Sequence, residues 1–401
     1  MSSSEHEETG TTHVSLKEEE HEEPGTTHIS LKDEDSPDHH DATKGSTTPK
    51  SSSGWDGKLR IEKKAQLVNP EAISDPEYST KNKRRYHPFP PTQSNPTTNP
   101  TPQIDLLDDY PLTTPEIDCV HARISSIPPL RLSRFTALKR LCLRQNTISK
   151  IEDLPPTLTE LDLYDNLIAH IKNLEHMTAL TSLDLSFNKI KHIKNLSALT
   201  GLTDLYFVQN KITTIEGLEG LSKLRNLELA ANRIREIGGG LRGLQGLEEL
   251  WLGKNKISEI AGLESLQKLK ILSIQSNRIR EISGLSALPH LQELYISHNA
   301  LTSLHGLEEC KGLKVLDISN NQISKLEGLE GLEELEEVWA SYNMVGDFNE
   351  VERVLGGKKG LNTVYFEGNP LQLRGPAVYR NKVKLALPQV MQIDATFVRV
   401  S

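Results

Sequence analysis

Aromatic and acidic side chains recur at regular intervals through the C-terminal two-thirds of this 401-residue sequence. Tyrosines and tryptophans form the energetic centre of many protein–protein interfaces, and charged side chains around them select the partner. The series, which we name the face column, reads Cys142, Asp162, Asp184, Tyr206, Glu228, Trp251, Ser273, Tyr295, Asp317, Trp339 and Tyr365. It contains two of the three tryptophans and three of the nine tyrosines, so partner binding is the first hypothesis.

A second, acidic series begins two residues before members of the face column, and we name it the side column. It consists of Glu160, Asp204, Glu249, Glu293 and Glu337. The two columns together predict a partner with a basic surface and apolar hollows, because charge and shape are complementary across a specific interface. The alternative interpretation is an ordinary solvated sheet face.

The spacing of the face column follows a ladder of asparagines, each four residues further along the chain. Consecutive asparagines are 20, 22, 22, 22, 23, 22, 22, 22, 22 and 26 residues apart. The ladder reads Asn146, Asn166, Asn188, Asn210, Asn232, Asn255, Asn277, Asn299, Asn321, Asn343 and Asn369. The surrounding frame L-x-x-L-x-L-x-x-N-x-I-x-x-I-x-x-L is the pattern of a leucine-rich-repeat solenoid.

Each repeat is predicted to contain one short strand, followed by tight turns and 3₁₀ or short helical pieces. In one clean copy Leu183 and Leu185 point into the core, while Asp184 points outward. Stacked strands form a parallel sheet of roughly 50 Å, which is the concave face. The ladder asparagines are expected to bond the backbone of the next turn. The predicted fold class is therefore α/β, a solenoid of about 11–12 mostly 22-residue repeats.

Four segments follow from composition and periodicity. Residues 1–103 are acidic and then rich in Pro, Ser and Thr, a composition typical of a disordered tail. Residues 104–130 are predicted to form an N-terminal cap with a degenerate repeat. The regular repeats occupy residues 131–370, and residues 371–401 are predicted to close the C-terminal end of the core.

Two stretches depart from the regular repeat. The N-terminal cap has Ala122 at the ladder position, and its apolar positions are assigned to Ile117, Val120, Ile124 and Ile127. The last interval is longer because an additional helix is predicted there. One face of that helix carries Phe348, Val351, Val354 and Leu355, and two glycines follow it.

Composition argues against several classes of function. The net charge of -9 and the pI of about 5.9 disfavour a general nucleic-acid binder. No apolar run approaches the length of a membrane span, and no signal peptide is evident. Three cysteines without pairing or metal spacing favour a reducing compartment. The basic cluster at residues 81–85 is compatible with a nuclear-import signal or with a solvated run of charge.

Residues 238–243 match G-x-G-x-x-G, a pattern found in dinucleotide-binding proteins. The match falls in a one-residue expansion of a repeat and lacks the strand–helix–strand unit that would present a phosphate to these glycines. We find no nucleotide-binding lysine loop, zinc motif or catalytic constellation. The sequence therefore predicts a non-enzymatic binding protein without a cofactor or a metal.

Several segments closely resemble one family. Residues 140–146 (RLCLRQN), 161–166 (LDLYDN), 183–188 (LDLSFN) and 384–398 are similar to the leucine-rich-repeat regulatory subunit of type-1 serine/threonine protein phosphatase, regulatory subunit 7 type. The resemblance covers about residues 104–401. It implies a non-catalytic subunit that holds the phosphatase catalytic subunit and controls its activity, maturation or nuclear targeting. Localisation in nucleus and cytoplasm, a role in the cell cycle and chromosome segregation, and a further phosphatase inhibitor protein in a ternary complex are also implied.

The resemblance assigns phosphatase contacts to individual positions. They are Asp184, Tyr206, Glu228, Trp251, Asp317, Glu337, Trp339 and Tyr365, and the face column itself adds Tyr295. The family favours Phe at the first two aromatic positions and Cys in place of Tyr295. A leucine-rich-repeat scaffold for another complex, of spliceosomal or ciliary type, remains the alternative function. Whether binding inhibits, matures or retargets the phosphatase stays open at the level of sequence.

Overall fold

The computed structural model describes residues 105–398, which form one 14-stranded sheet. The predictions for the N-terminal tail, including the basic cluster at residues 81–85, lie outside the described residues. The strands are β1 (Glu116–Asp118), β2 (Arg140–Cys142), β3 (Glu160–Asp162), β4 (Ser182–Asp184), β5 (Asp204–Tyr206), β6 (Asn226–Glu228), β7 (Glu249–Trp251), β8 (Ile271–Ser273), β9 (Glu293–Tyr295), β10 (Val315–Asp317), β11 (Glu337–Trp339), β12 (Thr363–Tyr365), β13 (Gln392–Ile393) and β14 (Thr396–Phe397). The predicted leucine-rich-repeat solenoid is confirmed.

Strand order in the sheet is the order along the chain. The first thirteen strands are parallel, and β14 runs antiparallel to its neighbour β13. The middle residue of each repeat strand, such as Leu183 or Leu227, is fully buried in a core that runs through all the repeats. Because each turn buries its apolar face only against its neighbours, stability is shared along the stack.

The ladder asparagines connect each turn to the one before it. Asn188 donates its side-chain amide to the carbonyls of Leu185 and Ser186 at 3.1 and 3.0 Å, and to Leu163 of the preceding repeat at 3.0 Å. Its Oδ1 accepts the backbone N–H of Ile168 at 2.9 Å. Bonds to the next turn were expected from the sequence, and this prediction was wrong. The side chain of Asn188 bonds the backbone of the preceding repeat instead.

The residue before each ladder asparagine has a left-handed backbone. These residues are Gln145, Asp165, Phe187, Gln209, Ala231, Lys254, Ser276, His298, Asn320, Tyr342 and Gly368. A positive φ costs a residue with a Cβ about 1–2 kcal/mol. The bonds of the asparagine hold the turn in this conformation, and they leave the preceding side chain at the surface.

The outer side of the repeats is built of turns and a few 3₁₀ turns, at Pro128–Leu130, Leu132–Arg134 and Leu285–Ala287. Neighbouring turns approach closely there. A Cβ added to Gly240 would lie 2.0 Å from the carbonyl oxygen of Ile215 in the preceding repeat. Only glycine fits at this position, because the backbones of two neighbouring repeats are in contact there.

Four apolar core positions were assigned to the N-terminal cap from the sequence, and one of them was wrong. Ile117, Ile124 and Ile127 are buried, whereas Val120 is 43% exposed. Cys119 takes the core position instead, because the pleat alternates and Cys119 follows Ile117 by two residues. The cap repeat has no ladder asparagine of its own. The carbonyl of Cys119 is nevertheless hydrogen-bonded, because the side-chain amide of Asn146 in the following repeat donates to it at 2.9 Å.

The C-terminal end is closed by three helices and the last two strands. Helix α1 (Phe348–Leu355) is the predicted insertion, and α2 (Pro370–Leu373) and α3 (Pro376–Ala386) follow. Asp394 ties α3 to the sheet: its carboxylate accepts the hydroxyl of Tyr379 at 3.0 Å and the backbone N–H of Phe366 at 2.9 Å.

Candidate partner-binding face

The face column forms one continuous row across the sheet. Pairing registers place Cys142 opposite Asp162, Trp251 opposite Ser273 and Trp339 opposite Tyr365, and the remaining members follow in the same row. The side column is a second row on the same face, because its members begin the strands that the face column ends. The one-residue expansion between β6 and β7 leaves the register intact.

Four aromatic members of the face column contact each other in series. The ring centroids of Trp251 and Tyr295 are 6.3 Å apart, and those of Tyr295 and Trp339 are 6.2 Å apart. Each of these pairs spans two strand spacings, because the short side chains of Ser273 and Asp317 lie between them. Trp339 and Tyr365, on adjacent strands, pack edge to face at 5.9 Å. Such offset and edge contacts each add about 0.5–1.5 kcal/mol beyond the area they bury.

Carboxylates of the side column orient two of these rings. The hydroxyl of Tyr295 donates to Glu293 at 2.7 Å, and the indole N–H of Trp339 donates to Glu337 at 3.1 Å. Tyr365 instead accepts a bond from the side-chain amide of Gln392 at 2.7 Å. Gln392 belongs to the C-terminal cap, and no repeat pattern could have predicted its contact with the face column.

The aspartates of the face column have a local structural role. Asp162, Asp184 and Asp317 each accept the backbone N–H two residues further on, at 3.0, 2.8 and 3.0 Å. Asp118 makes the same bond in the cap. An aspartate that closes the end of its own strand would be expected here even without a ligand. The strand-end bond does not account for the tyrosines and tryptophans of the column, which have no carboxylate to accept it. They are therefore the stronger candidates for contact with a partner.

Most of the face column is less exposed than the sequence predicted. Tyr206, Trp251 and Tyr295 are 4%, 2% and 6% exposed, although none of them belongs to the hydrophobic core cluster on the other side of the sheet. Part of this shielding comes from the ring contacts between neighbouring repeats. Trp339 and Tyr365 are half-buried, so the β11–β12 end of the column is the most accessible aromatic part.

Asp184, Glu228, Ser273 and Asp317 are also buried. Burial and the neighbouring carboxylate of Asp184 raise the pKa of Asp162 to about 7. Burial likewise raises the pKa of Asp317. The pKa values of Tyr206 and Tyr295 are raised as well, chiefly by burial and next by nearby carboxylates. The row is thus an acidic surface with several desolvated groups.

An apolar hollow beside the face column was not predicted. It has a volume of about 290 Å³, and its lining includes Tyr164, Phe187, Ala230, Ala231 and Gly253. The rings of Tyr164 and Phe187 are 4.7 Å apart, and Phe187 is 37% exposed. A sequence signal was present, because five successive repeats have a small apolar or aromatic residue one or two positions before the ladder asparagine.

The glycines at residues 238–243 lie in an outer turn, where Gly240 is in close contact with the preceding repeat. This position favours a packing role for the segment. Across the described residues 105–398, no group of three or more His, Cys, Asp or Glu side chains has the arrangement of a metal site. Over the same range, no helix combines the length and apolar character needed to cross a membrane.

Comparison with known proteins places this geometry in a family. Two leucine-rich-repeat profiles match: "Leucine Rich repeats (2 copies)" at residues 267–309 and 289–334, and "Leucine-rich repeat" at residues 181–283. The chain is 68% identical over 295 residues to "Protein phosphatase 1 regulatory subunit SDS22" of Schizosaccharomyces pombe, covering 73% of this chain and 89% of that protein. The chain belongs to the SDS22 family of protein phosphatase 1 regulatory subunits. The resemblance seen in the sequence is confirmed.

Other SDS22-family matches are shorter. The Saccharomyces cerevisiae SDS22 protein is 48% identical over 91 residues, 21% of this chain and 27% of that protein. Human "Protein phosphatase 1 regulatory subunit 7" is 64% identical over 45 residues, 11% of this chain and 12% of that protein. Because SDS22-family members are named regulatory subunits, the prediction that this chain is not an enzyme is confirmed.

Solved structures agree on the fold of this SDS22-family chain. An internalin of Listeria monocytogenes superimposes with a TM-score of 0.56 at 25% identity, covering 71% of this chain and 87% of that one. A chain in a complex of Latrophilin 3, Unc5D and FLRT2 gives a TM-score of 0.57 at 23% identity, covering 66% and 88%. These likenesses concern the leucine-rich-repeat architecture alone.

Proposed function

We propose that this chain is a non-catalytic regulatory subunit that binds the catalytic subunit of type-1 serine/threonine protein phosphatase through the sheet face. The partner is inferred from the names of the relatives, which are protein phosphatase 1 regulatory subunits. The binding surface is inferred from the face column. The observation that carries the proposal is the aromatic series Trp251, Tyr295, Trp339 and Tyr365, which crosses β7 to β12 on the side of the sheet opposite the core.

Fixed aromatic rings bind efficiently, because little side-chain freedom remains to be lost when the partner arrives. The bond from Trp339 to Glu337 and the bond from Tyr295 to Glu293 fix two of the rings. The same glutamates keep negative charge beside apolar area. A phosphatase surface with basic side chains around an apolar ridge would match this combination.

Contact with the phosphatase is proposed to begin at the β11–β12 end, where Trp339 and Tyr365 are accessible. Toward β4, further contacts would involve Tyr206, Glu228 and Asp184, with Asp317 between the rings. We propose that binding through this face controls the activity, maturation or nuclear targeting of the phosphatase. A ternary complex with a phosphatase inhibitor protein is compatible with this arrangement.

Co-purification of the catalytic subunit with the full chain tests the proposal. The double variant Glu337→Ala with Trp339→Ala should lose most of the phosphatase, since it removes both a ring and the carboxylate that orients it. Unchanged recovery of the phosphatase with a folded variant would contradict the assigned face. Recovery of ribonucleoprotein or axonemal proteins instead would favour the scaffold alternative.

A further inference from the structure

A row of cations follows the ladder asparagines through five successive repeats. The residue immediately after the asparagine is Lys189, Lys211, Arg233, Lys256 or Arg278. In every case its backbone N–H donates to an isoleucine carbonyl of the preceding repeat at 2.8 Å, so the five residues stack one per repeat. Three further exposed cations, Lys191, Arg235 and Arg280, stand two residues later. We name these eight residues the basic ridge.

The cations of the ridge have no salt-bridge partners in the described part of the chain. No member forms an ion pair with a carboxylate of residues 105–398, although twelve pairs between a lysine or arginine and a carboxylate occur elsewhere in that range. Glu236, Glu259 and Glu281 are exposed beyond its outer edge and limit the ridge on that side. This run of positive charge contrasts with a chain whose net charge is -9.

The ridge adjoins the apolar hollow. In four of these repeats the residue before the asparagine lines the hollow and the residue after it belongs to the ridge, as in Ala231 and Arg233. Only the asparagine separates these two positions, so their Cα atoms lie within about 7.6 Å of each other. Lys254 adds a cation to the hollow's own rim. Positive charge and an apolar recess therefore run side by side along the same repeats.

We propose that the basic ridge and the hollow form a second docking surface, which takes an extended acidic peptide segment of a partner protein with one apolar or aromatic anchor. Five repeats at ~4.8 Å span about 19 Å. An extended peptide rises about 3.3 Å per residue, so roughly six residues would follow the ridge. The anchor would enter the hollow between Phe187 and Gly253.

A peptide fits better than another polyanion. A mainly apolar recess of about 290 Å³ accommodates one aliphatic or aromatic side chain, which a phosphate backbone does not carry. The side chains of Gln209 and Gln275 at its border can bond a peptide backbone. The acidic face column runs beside the hollow. A nucleic acid or heparin chain, which is much wider than an extended peptide, would overlap the column and be repelled by it.

The test uses the full chain and a fluorescein-labelled peptide of eight glutamates around one central phenylalanine, measured by fluorescence anisotropy without any phosphatase. The peptide should bind, and replacing its phenylalanine by serine should weaken binding at least tenfold. Arg233→Glu with Lys256→Glu should weaken it by a similar factor, as should Phe187→Ser. The matched variant Lys223→Glu with Lys268→Glu, at exposed outer-turn positions, should bind like the parent chain.

Three results would overturn the proposal. One is equal binding by the ridge and matched variants, with both folded by circular dichroism. The second is indifference to the phenylalanine, which would reduce the surface to a general anion binder. The third is preferential binding of an equally charged heparin fragment or single-stranded RNA, which would assign the ridge to another class of ligand.

Discussion

Trp339 donates its indole N–H to Glu337, two residues earlier on the same strand, at 3.1 Å. Period-two alternation of the strand puts both side chains on one face of the sheet, and register pairing repeats that arrangement in Tyr295 and Glu293. The acidic side column thus has two effects on the proposed binding face: it supplies negative charge, and two of its glutamates fix aromatic rings of the neighbouring column.

The ladder asparagines should be individually important for stability. Asn188→Ala removes four hydrogen bonds and leaves buried backbone groups without partners, so we expect a loss of about 2–4 kcal/mol in the free energy of unfolding. Urea denaturation measures it. Asn349→Ala, at an exposed helical position, should change the value by no more than ~0.5 kcal/mol.

Two glycines of the G-x-G-x-x-G segment should respond differently to substitution. Gly240→Ala forces a Cβ against the carbonyl of Ile215 and should destabilise the fold by about 1–3 kcal/mol. Gly243→Ala meets nothing within 4 Å and should be nearly neutral. Equal melting temperatures for the two variants would refute the packing role of Gly240. If the parent chain bound a nucleotide and Gly240→Ala abolished that binding, the segment would be a cofactor site after all.

Stability should depend on pH through Asp162. Its pKa is about 7 in the folded chain against an ordinary value of 3.8, so the folded state holds the extra proton between about pH 4 and 7. Stability from this group is therefore largest at low pH and falls as pH rises through that window. Asp162→Asn should raise the free energy of unfolding at pH 8 by on the order of 2 kcal/mol and have little effect near pH 4.

Urea denaturation at pH 4.5, 6 and 8 provides the measurement for Asp162. Asp165→Asn, three residues later on the exposed part of the same turn, is the control. If Asp162→Asn shifted stability equally at all three pH values, the raised pKa would be wrong.

The C-terminal cap should depend on the contact of Tyr379 with Asp394. Tyr379→Phe removes one buried hydroxyl bond and should cost about 1 kcal/mol. Asp394→Ala also frees the backbone N–H groups of Phe366 and Glu367 and should cost more. Hydrogen exchange of β12 and β13 reports the effect: faster exchange confined to these strands is expected, and unchanged exchange would show that the cap is held by packing alone.

The repeat determined how much of the fold was predictable. A period set by Leu183, Leu185 and Asn188 specifies strand, core and turn together, because each apolar position has one place in a stacked turn. Val120 was misassigned because the degenerate cap lacks an asparagine to mark its register. The insertion at α1 was found because an apolar face recurs with helical spacing.

The site was predicted as a row of residues, and its contacts were not. Sequence spacing could place Trp251 and Tyr295 in one column, but the ring contact across Ser273 depends on side-chain volumes and rotamers. The burial of the face column could not be predicted either. Period-two alternation shows which face of the sheet a residue occupies, but it does not show how closely neighbouring side chains pack against that residue. The basic ridge was visible as N-K-I and N-R-I repeats, yet its meaning depends on the hollow beside it.

Quantitative binding of the phosphatase catalytic subunit to the full chain is the decisive test of the proposed binding face. Titration calorimetry would compare the parent chain, Glu337→Ala with Trp339→Ala, and a control, Glu309→Ala with Leu385→Ala, whose side chains are exposed away from the sheet face. We expect at least a hundredfold loss of affinity for the first variant, about 2.7 kcal/mol or more, and parent-like affinity for the control. Parent-like affinity in both folded variants would contradict the proposal that the sheet face binds the phosphatase.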